Sequence, residues 1–205
     1  MILETILVGS LETNCYVLAA RADSRAVIID PGEEERKIRK ALDKHKLKPE
    51  AVINTHGHID HIGCDDKFGV AVYIHKLDAP LLKNSELNLS SFLSMPFAIN
   101  SDIHTLEQGD KIELGGLSFE VIHVPGHTPG GIALLLVVSG NKILFSGDSL
   151  FCRSIGRTDF KGGDNELLVK SIKEKLFVLP DDTLVYPGHG PSTTIGEEKR
   201  ENPYL

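Results

Sequence analysis

The chain has no surplus of basic residues. Its 205 residues carry a formal net charge of −7, and gripping a phosphate backbone needs a positive surface. Nucleic acid is therefore not an expected partner. No apolar run approaches the roughly 18 residues of a membrane span, and Ile132 to Val138 has the length of a buried strand. The opening Met1-Ile2-Leu3-Glu4-Thr5 lacks the basic stretch and apolar block of a signal peptide. Cysteine is scarce: Cys15, Cys64 and Cys152 form an odd, widely spaced set. Free thiols buried as small apolar side chains in a reducing cytoplasm are the expectation. Internal repeats, low-complexity tracts and linkers are also missing, so residues 1–205 are expected to form one domain. A hydrophobic content of 41% and a charged content of 25% describe an ordinary globular chain.

What is present is histidine, concentrated. Thr55-His56-Gly57-His58-Ile59-Asp60-His61 holds three imidazoles and a carboxylate within six residues, a density with few uses other than metal ligation. His56 and His58 are two apart, which on a helix would send them to different faces. In extended or turn backbone they share a side, with Gly57 expected to let the chain bend between them. Asp60 and His61 follow and can face a second ion. One run cannot encircle a metal, so distant ligands are required. His127 follows Val124-Pro125-Gly126, His189 follows Tyr186-Pro187-Gly188, and Asp148 follows Phe145-Ser146-Gly147. A carboxylate can bridge two cations and an imidazole cannot, so Asp148 is the candidate bridge. The expected set is His56, His58 and His127 on one ion, Asp60, His61 and His189 on the other, and Asp148 shared. Nitrogen and oxygen donors suit zinc, iron or manganese and do not choose between them; zinc is the expected occupant. Two such ions about 3.5–4 Å apart activate a bridging water and polarise a carbonyl, the chemistry of hydrolysis. They would also draw anions to a molecule whose surface repels them.

Around these residues the pattern predicts strands over 5–8, 15–19 and 25–29, then a helix from Glu33 to about His45 with three glutamates in its first turn. Strands follow over 51–54 and 70–74, with a helical stretch at 78–83. Further strands are expected over 111–114, 117–124, 132–138 and 142–145. A helix over 166–177 is capped at Asp164 or Asn165, and strand 184–186 and a short helix near Glu197 finish the chain. Strands in two groups with few helices suggest two packed sheets covered on their outer faces. Every ligand segment falls just after a strand. The segment 84–102, with Leu89, Phe92, Leu93, Met95 and Phe97, fits either a pocket wall or plain cover over a sheet. Arg153 and Lys161, downstream of Asp148, are candidate substrate contacts, Arg through a bidentate fork. Arg157 is read as pairing with Asp159. His45 is read as helix surface, and His75, His104 and His123 as ordinary strand or loop residues.

THGHIDH at 55–61 resembles the THxHxDH signature of the metallo-β-lactamase superfamily. PGHTPGG at 125–131, SGDSLF at 146–151 and YPGHG at 186–190 follow in the family's order, and Thr13-Asn14-Cys15-Tyr16 and Asn202-Pro203 extend the likeness across the chain. Ser154 to Phe160 and Thr193 to Glu197 look most similar to small glyoxalase II-like hydrolases. The resemblance implies an αβ/βα sandwich, an α/β fold of two mixed sheets with outer helices, and a binuclear site holding two divalent ions on the ligands just assigned. It also implies hydrolysis of a small thioester such as S-lactoylglutathione by a metal-bridging hydroxide, with Asp60 orienting that hydroxide or taking its proton. Persulfide dioxygenases with a single iron, lactonases and phosphodiesterases share the resemblance; a metal-binding protein without catalysis is the remaining alternative. β-Lactamases of the common zinc type carry cysteine at the Asp148 position and arginine at the His61 position, which argues against antibiotic hydrolysis. Longer glyoxalase II enzymes add a helical domain for glutathione. This chain stops soon after His189, so that part of the carrier pocket is expected to be missing.

Overall fold

Two runs of strands build two sheets. The first comprises β1 (Ile2–Val8), β2 (Thr13–Ala19), β3 (Arg25–Ile29), β4 (Lys48–Ile53), β5 (Ala71–His75) and β6 (Ile103–Leu106), side by side in chain order. β1 to β3 are antiparallel; β3 to β6 are parallel. The second comprises β7 (Lys111–Leu114), β8 (Leu117–His123), β9 (Ile132–Val138) and β10 (Asn141–Gly147), then β13 (Leu184–Pro187) and β14 (Thr193–Thr194) beyond β10. Between them β11 (Leu150–Phe151) and β12 (Ser154–Ile155) form a small ribbon. The helices are α1 (Glu35–Lys44), α2 (Ile59–Ile62), α3 (Asn165–Ser171) and α4 (Ile195–Glu201). The computed structural model describes residues 1–93 and 96–205; Met95 and the side chain of Leu93, named above among the apolar residues of segment 84–102, lie outside that description.

Alternation along the strands sorts the side chains into three cores. Successive residues leave opposite faces of a strand, so β2 sends Tyr16 and Leu18 between the sheets and Cys15, Val17 and Ala19 to the outer side. β9 likewise sends Ile132, Leu134 and Leu136 inward and Ala133 and Leu135 outward. Ile38 and Leu42 of α1 cover the outer face of the first sheet; Leu168 of α3, with Ile172 and Leu176, covers that of the second. Both faces of each sheet are thereby covered, giving an αβ/βα sandwich of two mixed sheets. Among the described residues no helix is long and apolar enough to cross a membrane.

Several expectations shift at their edges. α1 begins at Glu35 because Glu34 takes φ +54°. The Glu34 carboxylate accepts from the Gly9 amide at 3.0 Å and Lys37 at 2.6 Å, so it ties the helix to the β1–β2 loop and Glu35 alone occupies the first turn. α3 is capped by Asp164, whose carboxylate accepts from the Leu167 amide at 3.0 Å. Beyond Ser171 the chain widens into a π-helical turn over Ile172–Leu176. Leu168, Ile172 and Leu176 recur every four residues, more than the 3.6 of an α-helix, and a wider turn keeps them on one face. Of the helical stretch expected at 78–83, only a 3₁₀ turn at Leu81–Lys83 forms, since Asp78 is engaged elsewhere. β6 was not foreseen; it is a four-residue edge strand with half its side chains exposed. The cysteines are free, with Cys15 and Cys64 buried and Cys152 only half-buried. Burial pushes the Cys15 and Cys64 thiols up, as expected of packed apolar side chains.

Candidate metal centre and the cleft above it

β8 and β10 each run antiparallel to β9, and β13 runs parallel to β10. The carboxyl ends of these three strands therefore open at one edge. His127 follows β8, Asp148 follows β10 and His189 follows β13. The facing sheet delivers His56, His58, Asp60 and His61 from the end of β4 and the short α2. Backbone bonds lock the two edges together: Ile132 donates to the Thr55 carbonyl at 2.8 Å and Asn14 to the Gly188 carbonyl at 2.7 Å. The Asn14 side chain also donates to the carbonyls of Pro187 and Gly190, at 3.0 and 2.9 Å, which gives the Thr13-Asn14-Cys15-Tyr16 stretch a physical task.

Close packing dictates two glycines here. Gly57 does not take the positive φ of a special bend. A Cβ at that position would lie 2.5 Å from Leu81 Cβ, so the residue is glycine for proximity. A Cβ at Gly188 would fall 2.1 Å from Asp148 Oδ1.

The seven side chains converge as three overlapping groups: His56, His58 and His127; His56, His61 and Asp148; Asp60, His61 and His189. His127 Nε2 lies 3.0 Å from His58 Nδ1 and 3.3 Å from His56 Nε2. His189 Nε2 lies 3.3 Å from His61 Nε2 and 3.3 Å from Asp60 Oδ2. Asp148 touches both sides, with Oδ1 3.4 Å from His61 Nε2 and Oδ2 3.7 Å from His127 Nε2 and 3.6 Å from His189 Nε2. The outward ring nitrogens are held in place. His127 Nδ1–H donates to the Arg157 carbonyl at 2.7 Å, and His189 Nδ1–H to the Leu11 carbonyl at 3.0 Å. His56 Nδ1–H points at Thr55 Oγ1 at 3.2 Å, whose own hydroxyl donates to Asp30 at 2.7 Å. Such contacts fix the tautomer and leave the inner nitrogen as a lone pair.

The charge pattern fits cations. Burial and neighbouring imidazoles hold His56 well below its ordinary value, and the same causes bring His58 down to about 3. Burial opposes charge on His61 as well, but Asp60, Asp148 and Asp30 outweigh it and raise that imidazole to about 10. Burial raises Asp60, yet His61 and His189 keep its carboxyl far below the usual range. Neutral imidazoles at His56 and His58, carboxylates whose charge draws a cation to the His61 side, and a buried Asp148 Oδ1 without a hydrogen-bond partner make a donor set that divalent metal ions satisfy.

Two supporting carboxylates escaped the sequence reading. Asp30, 1% exposed, accepts from the Thr55 amide at 2.7 Å and lies 3.0 Å from His61 Nδ1, off the line of a well-formed hydrogen bond. It directly follows β3, which runs parallel beside β4, and that strand-end placement was the available signal. Asp78 is fully buried and accepts from the Gly57 amide at 3.1 Å, the Thr128 hydroxyl at 2.7 Å and the Gly130 amide at 2.6 Å. It pins the His56–His58 loop to the loop carrying His127. Burial pushes its carboxyl up while these donors pull it back. Nothing in the local sequence marks it.

Above the cluster opens a cleft of about 510 Å³ in which His58, Asp60, His127, Asp148 and His189 form the polar floor. Its walls are apolar and include Leu89 and Phe92, while Ile99 joins the core under the first sheet with Phe97 packed against it. The described residues of segment 84–102 thus fill both roles considered for it. Arg157 lines the cleft while its guanidinium grips Asp159 through two 2.7 Å bonds, the pairing expected. Arg153 does not meet the cleft. Its guanidinium binds Glu198 at 2.7 Å and Glu201 at 2.6 Å, both on α4, so the substrate role assigned to it gives way to a structural one. The Glu198 side chain is fully buried, and a charge left unpaired there is costly. Arg153→Ala is accordingly expected to lower the melting temperature while KM stays put; a KM rise without loss of stability would restore the substrate role. Lys161 is exposed and lies outside the cleft's lining. His45 pairs with Glu4, His104 with Asp102, and His75 stacks on His123 at 4.0 Å; none joins the cluster.

Comparison with known proteins points the same way. The family model of the metallo-β-lactamase superfamily matches residues 8–189. The hydroxyacylglutathione hydrolase GloC of Haemophilus influenzae is 37% identical over 211 residues, covering 100% of this chain and 98% of that protein. Among solved structures, BLEG-1 B3 metallo-β-lactamase superposes with a TM-score of 0.90 at 40% identity, covering 100% of this chain and 99% of that one. TTHA1623, in a di-iron-bound form, gives 0.80 at 35% identity, covering 98% and 100%.

Proposed function

From a chain that belongs to the metallo-β-lactamase superfamily, we infer a metal-dependent hydrolase of small thioesters, with S-lactoylglutathione, the type of compound named for GloC, as the first substrate to test. The observation that carries this reading is the convergence of seven nitrogen and oxygen donors beneath one cleft. His56, His58 and His127 would hold one divalent ion, Asp60, His61 and His189 the other, and Asp148 both. Zinc is the first metal to test. Iron follows, supported by the di-iron form of TTHA1623, and then manganese. Such ions supply an acidified water and polarise an acyl oxygen.

The chain's own groups do the rest. Asp60 Oδ2 lies 3.5 Å from the Thr13 hydroxyl and 3.3 Å from His189 Nε2. Its depressed pKa keeps it an anion, which suits it to orient a water by accepting a hydrogen bond better than to retain a proton. The apolar walls exclude bulk water and strengthen electrostatic contacts at the floor. The carboxylate products are small molecules, and a cytoplasmic setting fits the free thiols.

A β-lactam is the second reading, favoured by the BLEG-1 likeness, since the same water could open an amide ring. The test is a substrate panel of acyl-glutathione thioesters, a β-lactam, a lactone and a phosphodiester, run on protein stripped with chelator and reloaded with a defined metal. Activity is expected to vanish on stripping and return near two ions per chain, with thioesters leading. One iron per chain together with oxygen uptake on glutathione persulfide would overturn hydrolysis.

A further inference from the structure

The cleft offers little to a charged thiol carrier. Among the described residues lining it, Arg157 is the one lysine or arginine, and Asp159 occupies it through two bonds, Nε to Oδ1 and Nη2 to Oδ2, each 2.7 Å. The guanidinium also lies 4.1 Å above the Phe160 ring. A glutathione arm brings two carboxylates and an ammonium, and setting such charges against apolar walls without partners is costly. The walls invite something else. Phe160 stands 5.9 Å from the His58 ring and Phe151 6.1 Å from the His189 ring, edge to face. At the mouth Leu11 and Phe92 are 59% and 79% exposed, with Leu11 held by its carbonyl's bond to His189. Apolar area presented at the rim of a reactive floor gains by being covered.

We propose that the cleft selects thioesters with a bulky apolar acyl group, aromatic or branched, on a thiol arm without net charge. This rests on the thioester hydrolase reading above and narrows it. The reaction balances simply: water's oxygen forms a bond to the acyl carbon, the carbon–sulfur bond breaks, and the sulfur leaves with the electron pair. Of water's two protons one ends on the thiol and the other passes to solvent, so the acid is released as its carboxylate.

The test uses the full metal-loaded chain and four compounds, the benzoyl and lactoyl thioesters of glutathione and of N-acetylcysteamine. Each kcat/KM is divided by that compound's uncatalysed rate in hydroxide, which removes differences in intrinsic reactivity. The benzoyl N-acetylcysteamine thioester should exceed S-lactoylglutathione by about tenfold or more, the scale of an added apolar group in a fitted pocket. Equal or reversed preference overturns the selection and leaves thioester hydrolysis standing, whereas no turnover of all four removes thioester hydrolysis itself. Phe92→Ser, on an exposed side chain with little part in folding, should lower the benzoyl compounds several-fold and the lactoyl compounds far less; an equal loss on both counts against an apolar acyl site. Asp159→Asn should release Arg157 and raise the glutathione thioesters relative to their N-acetylcysteamine partners. An unmoved ratio would show that the Asp159 pairing does not govern carrier choice.

Discussion

Replacing Asp148 with asparagine is expected to lower kcat/KM by on the order of a thousandfold and bound metal from two ions per chain toward one. The amide keeps the volume of the side chain and removes only its charge, so folding is little disturbed. Asp148 approaches nitrogens from both sides of the cluster, His61 through Oδ1 and His127 and His189 through Oδ2. A neutral amide has a single strong acceptor and cannot serve two cations at once. Metal analysis of the purified variant, kcat/KM on the best thioester and a thermal melt separate loss of the site from loss of the fold. Retention of two ions with activity within tenfold of the parent would show that the bridge belongs to another residue.

Asp78→Ala is the second large effect, and it should appear first in stability. Removing the carboxylate strands two buried amides, Gly57 and Gly130, and the Thr128 hydroxyl. At roughly 1–3 kcal/mol for each of these three groups left without a partner, the total is roughly 3–9 kcal/mol. For a chain of this size that corresponds to a fall in melting temperature on the order of 10 °C. Metal affinity should weaken about 10- to 100-fold as the two ligand loops lose their common anchor. Asp78→Asn keeps one acceptor and should fall between. A melting temperature within about 3 °C of the parent would mean that the loops hold their places without this residue.

These two residues also mark how far a sequence can be read. Asp148 entered the candidate set through a local trace, a carboxylate directly after Ser146-Gly147 in a chain already dense with histidine. The seven donors and the two-sheet sandwich followed from such traces, since a strand's period and a ligand's chemistry are written in neighbouring residues. Asp78 left none, because its partners lie 21 to 52 positions away and only the folded loops bring them near. Asp30 was half visible, placed at a strand end whose parallel neighbour delivers the histidines. Arg153 misled for the same reason: its position after Asp148 suggested substrate, while the carboxylates that claim it lie 45 and 48 residues on. Glu34 shows the problem at short range, where a left-handed backbone residue turned an expected helix start into a loop tether. Gly57 was right in identity and wrong in cause, being required by Leu81 across a gap the sequence does not record.

Because the first sheet contributes His56, His58, Asp60 and His61 and the second His127, Asp148 and His189, neither half of the chain owns a working centre. A break placed between β6 and β7 would yield two inert pieces whose catalysis could return only by complementation. On the proposed metal-dependent reading, divalent ions would then act as the rivet between them, so that assembly governed by metal supply becomes a single event.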